Sequence, residues 1–294
     1  MFRGEPHTVA EVSDEALSGV SIAFFAAGSS TSARYAPVVA AGGGVAVDKS
    51  SYFRMDPSVP LIVPEVNGGL LTGGEGIIAN PNCVAIPLTV ALAPLHAAFG
   101  LRHITVATYQ SASGGGHRLA AELAEQTRAD AVGEPPKHSV YPHVLHGNVV
   151  PGGWAVDGAD TEEELKVIEE TRRVLGLPNL LASVTTVRVP VPIGHSAAVW
   201  AQFDTDVGAA QVRALLEHAA GVRVVDDPAV QKYPTPRDAA GTDDVLVGRI
   251  RDDAGAPGGI AMFLSVDNLR KGAATNAVQV AELALERRGE RARA

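Results

Sequence analysis

Val20-Ser21-Ile22-Ala23-Phe24-Phe25-Ala26-Ala27-Gly28-Ser29-Ser30-Thr31-Ser32 begins as a continuous apolar run and ends in a Gly/Ser turn. The pattern predicts a strand, then a helix through about residue 41, then a second short strand, Val45-Ala46-Val47, ending in Asp48-Lys49-Ser50-Ser51. Strand, small-residue turn, helix and strand form a βαβ unit, and apolar runs without alternation belong to parallel strands buried on both faces. Leu61-Ile62-Val63 reads as a third strand, and Glu75-Gly76-Ile77-Ile78-Ala79 as a strand feeding a turn. The fold class is therefore α/β. Gly28 and Ser29 stand at a helix start, where unpaired N–H groups can cradle an anion. By itself such a turn specifies no ligand.

With 294 residues the chain has room for two domains, and 46% hydrophobic against 19% charged residues describes a well-buried globular protein. A net charge of −9 argues against nucleic acid or a membrane surface as partner. No apolar run reaches the roughly eighteen residues that a membrane span needs. Met1-Phe2-Arg3-Gly4-Glu5 has no signal-peptide character. The single cysteine excludes an internal disulfide and fits a reducing cytoplasm. No metal ligand set is assigned.

That cysteine lies in Asn80-Pro81-Asn82-Cys83-Val84-Ala85-Ile86-Pro87, and residues 85–98 have helical apolar spacing. Free thiols are usually inert buried hydrophobes. At a helix N-terminus, however, the dipole and unpaired N–H groups favour the thiolate, and the same N–H groups can stabilise an oxyanion on an attached carbonyl. Residues 103–108 read as a strand leading into Tyr109-Gln110-Ser111-Ala112-Ser113-Gly114-Gly115-Gly116, and residues 135–151 as irregular. Residues 161–175 form a helix that Thr161 and Glu164 can close as a capping box, with Gly176 and Pro178 as its stop. Residues 183–191 alternate as a strand with Arg188 inside it, a costly placement unless the guanidinium meets a carboxylate or phosphate. Gly194-His195-Ser196 follows, then a strand at 199–203 and helices at 209–219 and 273–287.

A thiol and a histidine together make a nucleophile with a general base, though nothing in the spacing brings Cys83 and His195 together. Arg54 follows a strand's C-terminal end, where α/β sheets bind ligands. Lys166 alone reads as part of a solvated helix face.

Together these segments resemble the aspartate-β-semialdehyde dehydrogenases. The resemblance is carried by Ser50-Ser51-Tyr52-Phe53-Arg54-Met55, Val63-Pro64-Glu65-Val66-Asn67, Asn80-Pro81-Asn82-Cys83 and Thr108-Tyr109-Gln110. It continues through Glu163-Glu164-Leu165-Lys166, Arg188-Val189-Pro190-Val191, Gly194-His195-Ser196 and Asp267-Asn268-Leu269-Arg270-Lys271-Gly272-Ala273-Ala274. It implies reversible, phosphate-dependent oxidation of aspartate semialdehyde to aspartyl phosphate with NADP, run reductively toward lysine, threonine, methionine and isoleucine. In that chemistry Cys83 would carry the acyl thioester, His195 would be the acid/base and Gln110 would position the substrate. Arg188 would pair with the substrate carboxylate and Glu163 with its ammonium. Arg54 and Lys166 would hold phosphate, with Asn82 nearby. Ser113, Gly114 and Asn268 would line the nicotinamide end, with Gly28 and Ser29 also assigned to the cofactor.

The implied architecture is an incomplete Rossmann-type NADP-binding domain at 1–82 plus 270–294, and an α+β catalytic and dimerisation domain with a mixed sheet at 83–269. A homodimer in the cytoplasm is implied too. The family's opening strand and Gly-x-x-Gly-x-x-Gly loop have no counterpart here, so the expectation is a misassigned start or a fragment, with a truly shortened protein as the alternative. Val84, Ala85 and Pro87 replace small hydroxyl residues and a Gln, Lys49 stands where Asn is common, and His146-Gly147 replaces a more apolar pair. A related N-acetyl-glutamyl-phosphate reductase, or a silent homologue acting as dimer partner, are the competing readings.

Overall fold

The computed structural model describes residues 4–74 and 76–291. Residues 1–3, Glu75 and residues 292–294 lie outside the described residues, and with them parts of the readings at the N-terminus, the strand at 75–79 and the segment 270–294. A short helix, α1 (Asp14–Leu17), precedes β1 (Ile22–Phe25), α2 (Ser29–Ala41) and β2 (Val45–Asp48). After α3 (Pro64–Asn67) comes β3 (Gly76–Ala79), and the three strands form a parallel sheet in the order β1-β2-β3.

The expected strand at 61–63 is reduced to one bridge, Leu61 to Ala79. Asn67 explains the reduction. Its Oδ1 takes the Val63 N–H at 2.9 Å and its Nδ2 donates to the Leu61 carbonyl at 2.8 Å, so a side chain satisfies backbone groups that a ladder would otherwise use.

The second layer system follows: α4 (Ala85–Phe99), β4 (Leu101–Tyr109), α5 (His117–Ala131), the hairpin β5 (Val156–Asp157) and β6 (Asp160–Thr161), and α6 (Glu162–Leu175). Then come β7 (Leu181–Thr185), β8 (His195–Phe203), α7 (Ala209–Leu216), β9 (Val222–Val224), α8 (Pro236–Ala239), β10 (Val245–Asp252), β11 (Ile260–Val266) and α9 (Thr275–Arg291). The larger sheet is mixed, in the order β7-β4-β8-β11-β10-β9. Its outer pairs are parallel and its inner ones antiparallel.

Helix α4 is apolar nearly all round because it is covered on both sides, by β4, β10 and β11 and by α6 and α7. Helix α9 lays Ala277, Val280 and Ala281 on Val45, Val47 and Ile78, closing one face of the small sheet. The capping box of α6 forms as the spacing predicts, with Gly176 at φ 68 ending the helix.

Three expectations change. The strand at 183–191 stops at Thr185, because the Thr186 N–H turns to the Glu164 carboxylate at 2.8 Å, and Arg188 is left in isolated bridges to Gln110 and Val150. His195 opens β8 rather than lying in a turn before it. The last helix is entered through a π-helical turn, Arg270–Ala274.

Candidate active site

Asn82 organises the start of α4. Its Oδ1 accepts the Val84 N–H at 2.7 Å and the Ala85 N–H at 3.4 Å, its carbonyl accepts the Ile86 N–H at 3.0 Å, and Pro87 has no N–H to offer. The Val84, Ala85 and Ile86 N–H groups are therefore occupied. Of the N–H groups expected to favour a Cys83 thiolate, the cysteine's own remains and favours it, but burial outweighs that effect. Burial, with the Glu163 carboxylate adding to it, pushes the Cys83 thiol up to about 12, against the pull of Arg54 and Arg188.

Two carboxylates of α6, seven residues apart on one helix face, hold Asn82 from the other side. Glu170 accepts its backbone N–H at 2.5 Å and Glu163 accepts its side-chain amide at 3.0 Å. Glu170 is buried and also pairs with Arg54 at 3.0 Å. Burial raises its carboxyl above the usual range, with Arg54 opposing.

A cavity of about 280 Å³ opens beside Cys83. Gln110, Glu163, Arg188, Arg54 and Asn82 line it with the cysteine, and so do Ser113, Gly114 and Asn268. Gln110 donates to Glu163 Oε1 at 3.2 Å. Arg188 is buried, donates through Nη1 to the Ser111 carbonyl at 2.7 Å, and lies under the Trp154 ring at 4.7 Å and near Tyr141 at 5.9 Å. Its Nε is buried and has no hydrogen-bond partner among the described residues. Arg54 spends all three nitrogens on the protein: Nε on the Asn80 carbonyl, Nη1 on Glu170 and Nη2 on the Lys49 carbonyl.

His195 is not among the lining residues. It packs against Gly114, which is: a Cβ at 114 would fall 2.8 Å from His195 Nε2 and 3.0 Å from Arg188 Nη1, so only glycine fits between them. The Ser111 N–H donates to His195 Nδ1 at 3.0 Å. Because Nδ1 must accept, the neutral ring carries its proton on Nε2, which is buried and unpartnered. Burial and then Arg188 push the imidazole down to about 3, so it is neutral at physiological pH.

Lys166 lies outside the cavity lining, its ammonium 3.2 Å from Glu162 one turn back. Gly28 and Ser29 lie outside it too. Gly28 leads into α2 at φ 95 without a side-chain cap, and Ser29 Oγ lies 3.4 Å from Ser51 Oγ.

Family models match most of the chain. One described as the semialdehyde dehydrogenase NAD binding domain covers residues 2–72, and one described as the semialdehyde dehydrogenase dimerisation domain covers residues 92–271. The aspartate-semialdehyde dehydrogenase of Aquifex aeolicus is 43% identical over 288 residues, 96% of this chain and 84% of the relative. That of Bacillus subtilis is 41% identical over 290 residues, 96% of this chain and 84% of the relative. The chain belongs to the aspartate-semialdehyde dehydrogenase family. A solved aspartate semialdehyde dehydrogenase II of Vibrio cholerae, complexed with ASA, superposes with a TM-score of 0.88 at 41% identity, covering 92% of this chain and 81% of that one.

Glu170, Trp154 and Ser111 do structural work around the cavity that sequence alone does not point to. Glu170 had one legible signal, its seven-residue offset from Glu163 on a capped helix. Trp154 and Ser111 act through irregular segments, where no periodicity marks a facing side chain. Among the described residues no group of three or more His, Cys, Asp or Glu could hold a metal ion, and no helix is long and apolar enough to cross a membrane.

Proposed function

We propose that the chain catalyses the NADP-dependent, reversible conversion of L-4-aspartyl phosphate to L-aspartate 4-semialdehyde and phosphate, through an acyl thioester on Cys83. The observation that carries this reading is the single cavity holding Cys83, the Arg188 guanidinium with its unpartnered Nε, and the Glu163 carboxylate. An α-amino acid needs both charges: Arg188 takes its carboxylate and Glu163 its ammonium. Cys83 attacks the acyl carbon, phosphate leaves, and the thioester is activated enough to accept hydride where a carboxylate is not. Gln110, braced by Glu163, positions the acyl group. The thiol proton leaves with the phosphate, and His195 offers its Nε2–H as a hydrogen bond to the oxygen that becomes the hemithioacetal hydroxyl; a solvent proton completes that hydroxyl, and its collapse returns the proton to the sulfur and frees the aldehyde.

The nicotinamide end of the cofactor fits the residues present. Asn268 lines the cavity; its Oδ1 already accepts from Ser111, Ser113 and Gly194, while its Nδ2 makes no hydrogen bond with any described residue. That free amide donor suits a carboxamide oxygen, and Ser113 and Gly114 form the adjoining wall. Gly28 and Ser29, at the uncapped start of α2, belong to the same cofactor in this reading. Bound NADPH supplies the hydride. Arg54 and Asn82 shape the phosphate side, with Lys166 able to join them by leaving Glu162.

Residues 1–82 plus 270–294 serve the cofactor and 83–269 the chemistry and pairing of two copies. The packing of α9 on the small sheet and the two family-model ranges support this division. A cytoplasmic homodimer is part of the same reading.

The test is NADPH formation from L-aspartate semialdehyde and phosphate by the full chain, with NAD as the alternative acceptor. Turnover that Cys83→Ala abolishes supports the reading. No turnover with either nucleotide overturns it.

A further inference from the structure

Three cations line the cavity beside Cys83: Lys49, Arg54 and Arg188. Two are committed. Arg54 gives each of its nitrogens to a protein acceptor, and Arg188 is bonded to Ser111 and stacked under Trp154. Lys49 is different. It follows β2 at the C-terminal end of a parallel strand and is only partly exposed, and its ammonium makes no hydrogen bond or ion pair with any described residue. A half-buried ammonium without an anion is an incomplete site, since burial penalises the charge and nothing local repays it. Burial accordingly lowers the lysine from its usual value, with the Cys83 thiolate as the charge that would favour it.

We propose that the Lys49 ammonium binds the phosphoryl group of the acyl phosphate, and inorganic phosphate in the reverse direction. The identity of the anion rests on the function proposed above; the site rests on the cavity. A compact ammonium with three donors suits a tetrahedral anion arriving beside Cys83, and it supplies the charge that Arg54 has already spent on Glu170. The Lys49 carbonyl, which holds Arg54, is backbone, so replacing the side chain leaves that contact intact.

Cys83 is the only cysteine, so its alkylation by iodoacetamide, followed by mass, reports on the cavity without needing turnover. Inorganic phosphate should slow alkylation of the unmodified chain. In Lys49→Met the phosphate concentration for half-protection should rise at least tenfold, while Lys49→Arg should stay within threefold of the unmodified value. The phosphate KM for NADPH formation should move in parallel and the semialdehyde KM by less than twofold. Unchanged half-protection in Lys49→Met overturns the proposal, as does absence of phosphate protection in the unmodified chain. A slower phosphate-free alkylation with an unaltered phosphate dependence also overturns it, because Lys49 would then act on the thiolate. Phosphate protection that depends on Lys49 in a chain without turnover leaves the site standing and sinks the proposed reaction instead.

Discussion

The Ser111 backbone N–H donates to His195 Nδ1 at 3.0 Å. This one contact fixes the ring's tautomer, and burial with the nearby Arg188 keeps the ring neutral. The sign of the resulting pH dependence follows from linkage. An unfolded histidine binds a proton near its ordinary value of 6.5, whereas the native ring waits until about 3. The native state therefore loses stability as pH falls from 6.5 toward 3, by about 2 kcal/mol between pH 7 and 5. In His195→Asn the amide oxygen can still accept the Ser111 N–H, but nothing titrates. Denaturant unfolding at pH 7 and pH 5 should show this acid loss in the parent and about 2 kcal/mol less of it in the variant. Equal losses in both would mean that the ring protonates freely in the folded chain.

The thiol makes the opposite prediction. Burial holds Cys83 up to about 12, so in the free chain almost all of it is the neutral thiol at pH 7. Since only the thiolate reacts, the alkylation rate should climb close to tenfold per pH unit from pH 7 to 10 without levelling off. A plateau near pH 8 would show that the helix start activates the sulfur after all, against the capping by Asn82.

Glu170 tests the scaffold beneath the nucleophile. It is buried, paired with Arg54 and bonded to the Asn82 N–H. Removing one member of a buried pair strands the other, at about 3–5 kcal/mol. Glu170→Ala should lose about that much unfolding free energy in urea. Glu162→Ala removes only the exposed partner of Lys166 and should cost less than about 1 kcal/mol. Comparable losses would place Glu170 outside the framework that carries Cys83.

The legible parts of the chain were those with strong local causes. The βαβ start follows from unbroken apolar runs around a Gly/Ser turn, and α6 from its capping box and stop signals. Where a side chain competes for backbone groups the local pattern misleads: Asn67 dissolves the strand at 61–63, and Glu164 ends β7 before Arg188. The same cause hid the capped state of α4, because Asn82 acts one residue before the cysteine that draws attention. Motif resemblance brought Cys83, Gln110, Glu163 and Arg188 to one cavity, whereas Lys166 is turned to Glu162 by an ordinary one-turn pairing. Trp154 has no sequence signal at all, since its position depends on a glycine pair and a tyrosine from a distant irregular segment.

That position makes the last prediction. Gly153 has φ 86, and a Cβ there would strike the Tyr141 ring, whose hydroxyl donates to the Gly152 carbonyl. The loop is thereby pinned so that Trp154 lies 4.7 Å over the Arg188 guanidinium while also lining the cavity. An indole face on a guanidinium is worth about 0.5–2 kcal/mol, depending on how far water is excluded. The indole restrains the guanidinium that the proposed function assigns to the substrate carboxylate, and Arg188 Nε is buried without a partner among the described residues. Trp154→Ala should raise the KM for the semialdehyde by about 3- to 30-fold with a smaller change in kcat, and Trp154→Phe should recover part of the loss. The phosphate KM should stay near the parent value, because Lys49 and not Trp154 is assigned to that anion. A fall in kcat with the semialdehyde KM unchanged would mean that Trp154 acts on the chemical step and not through Arg188.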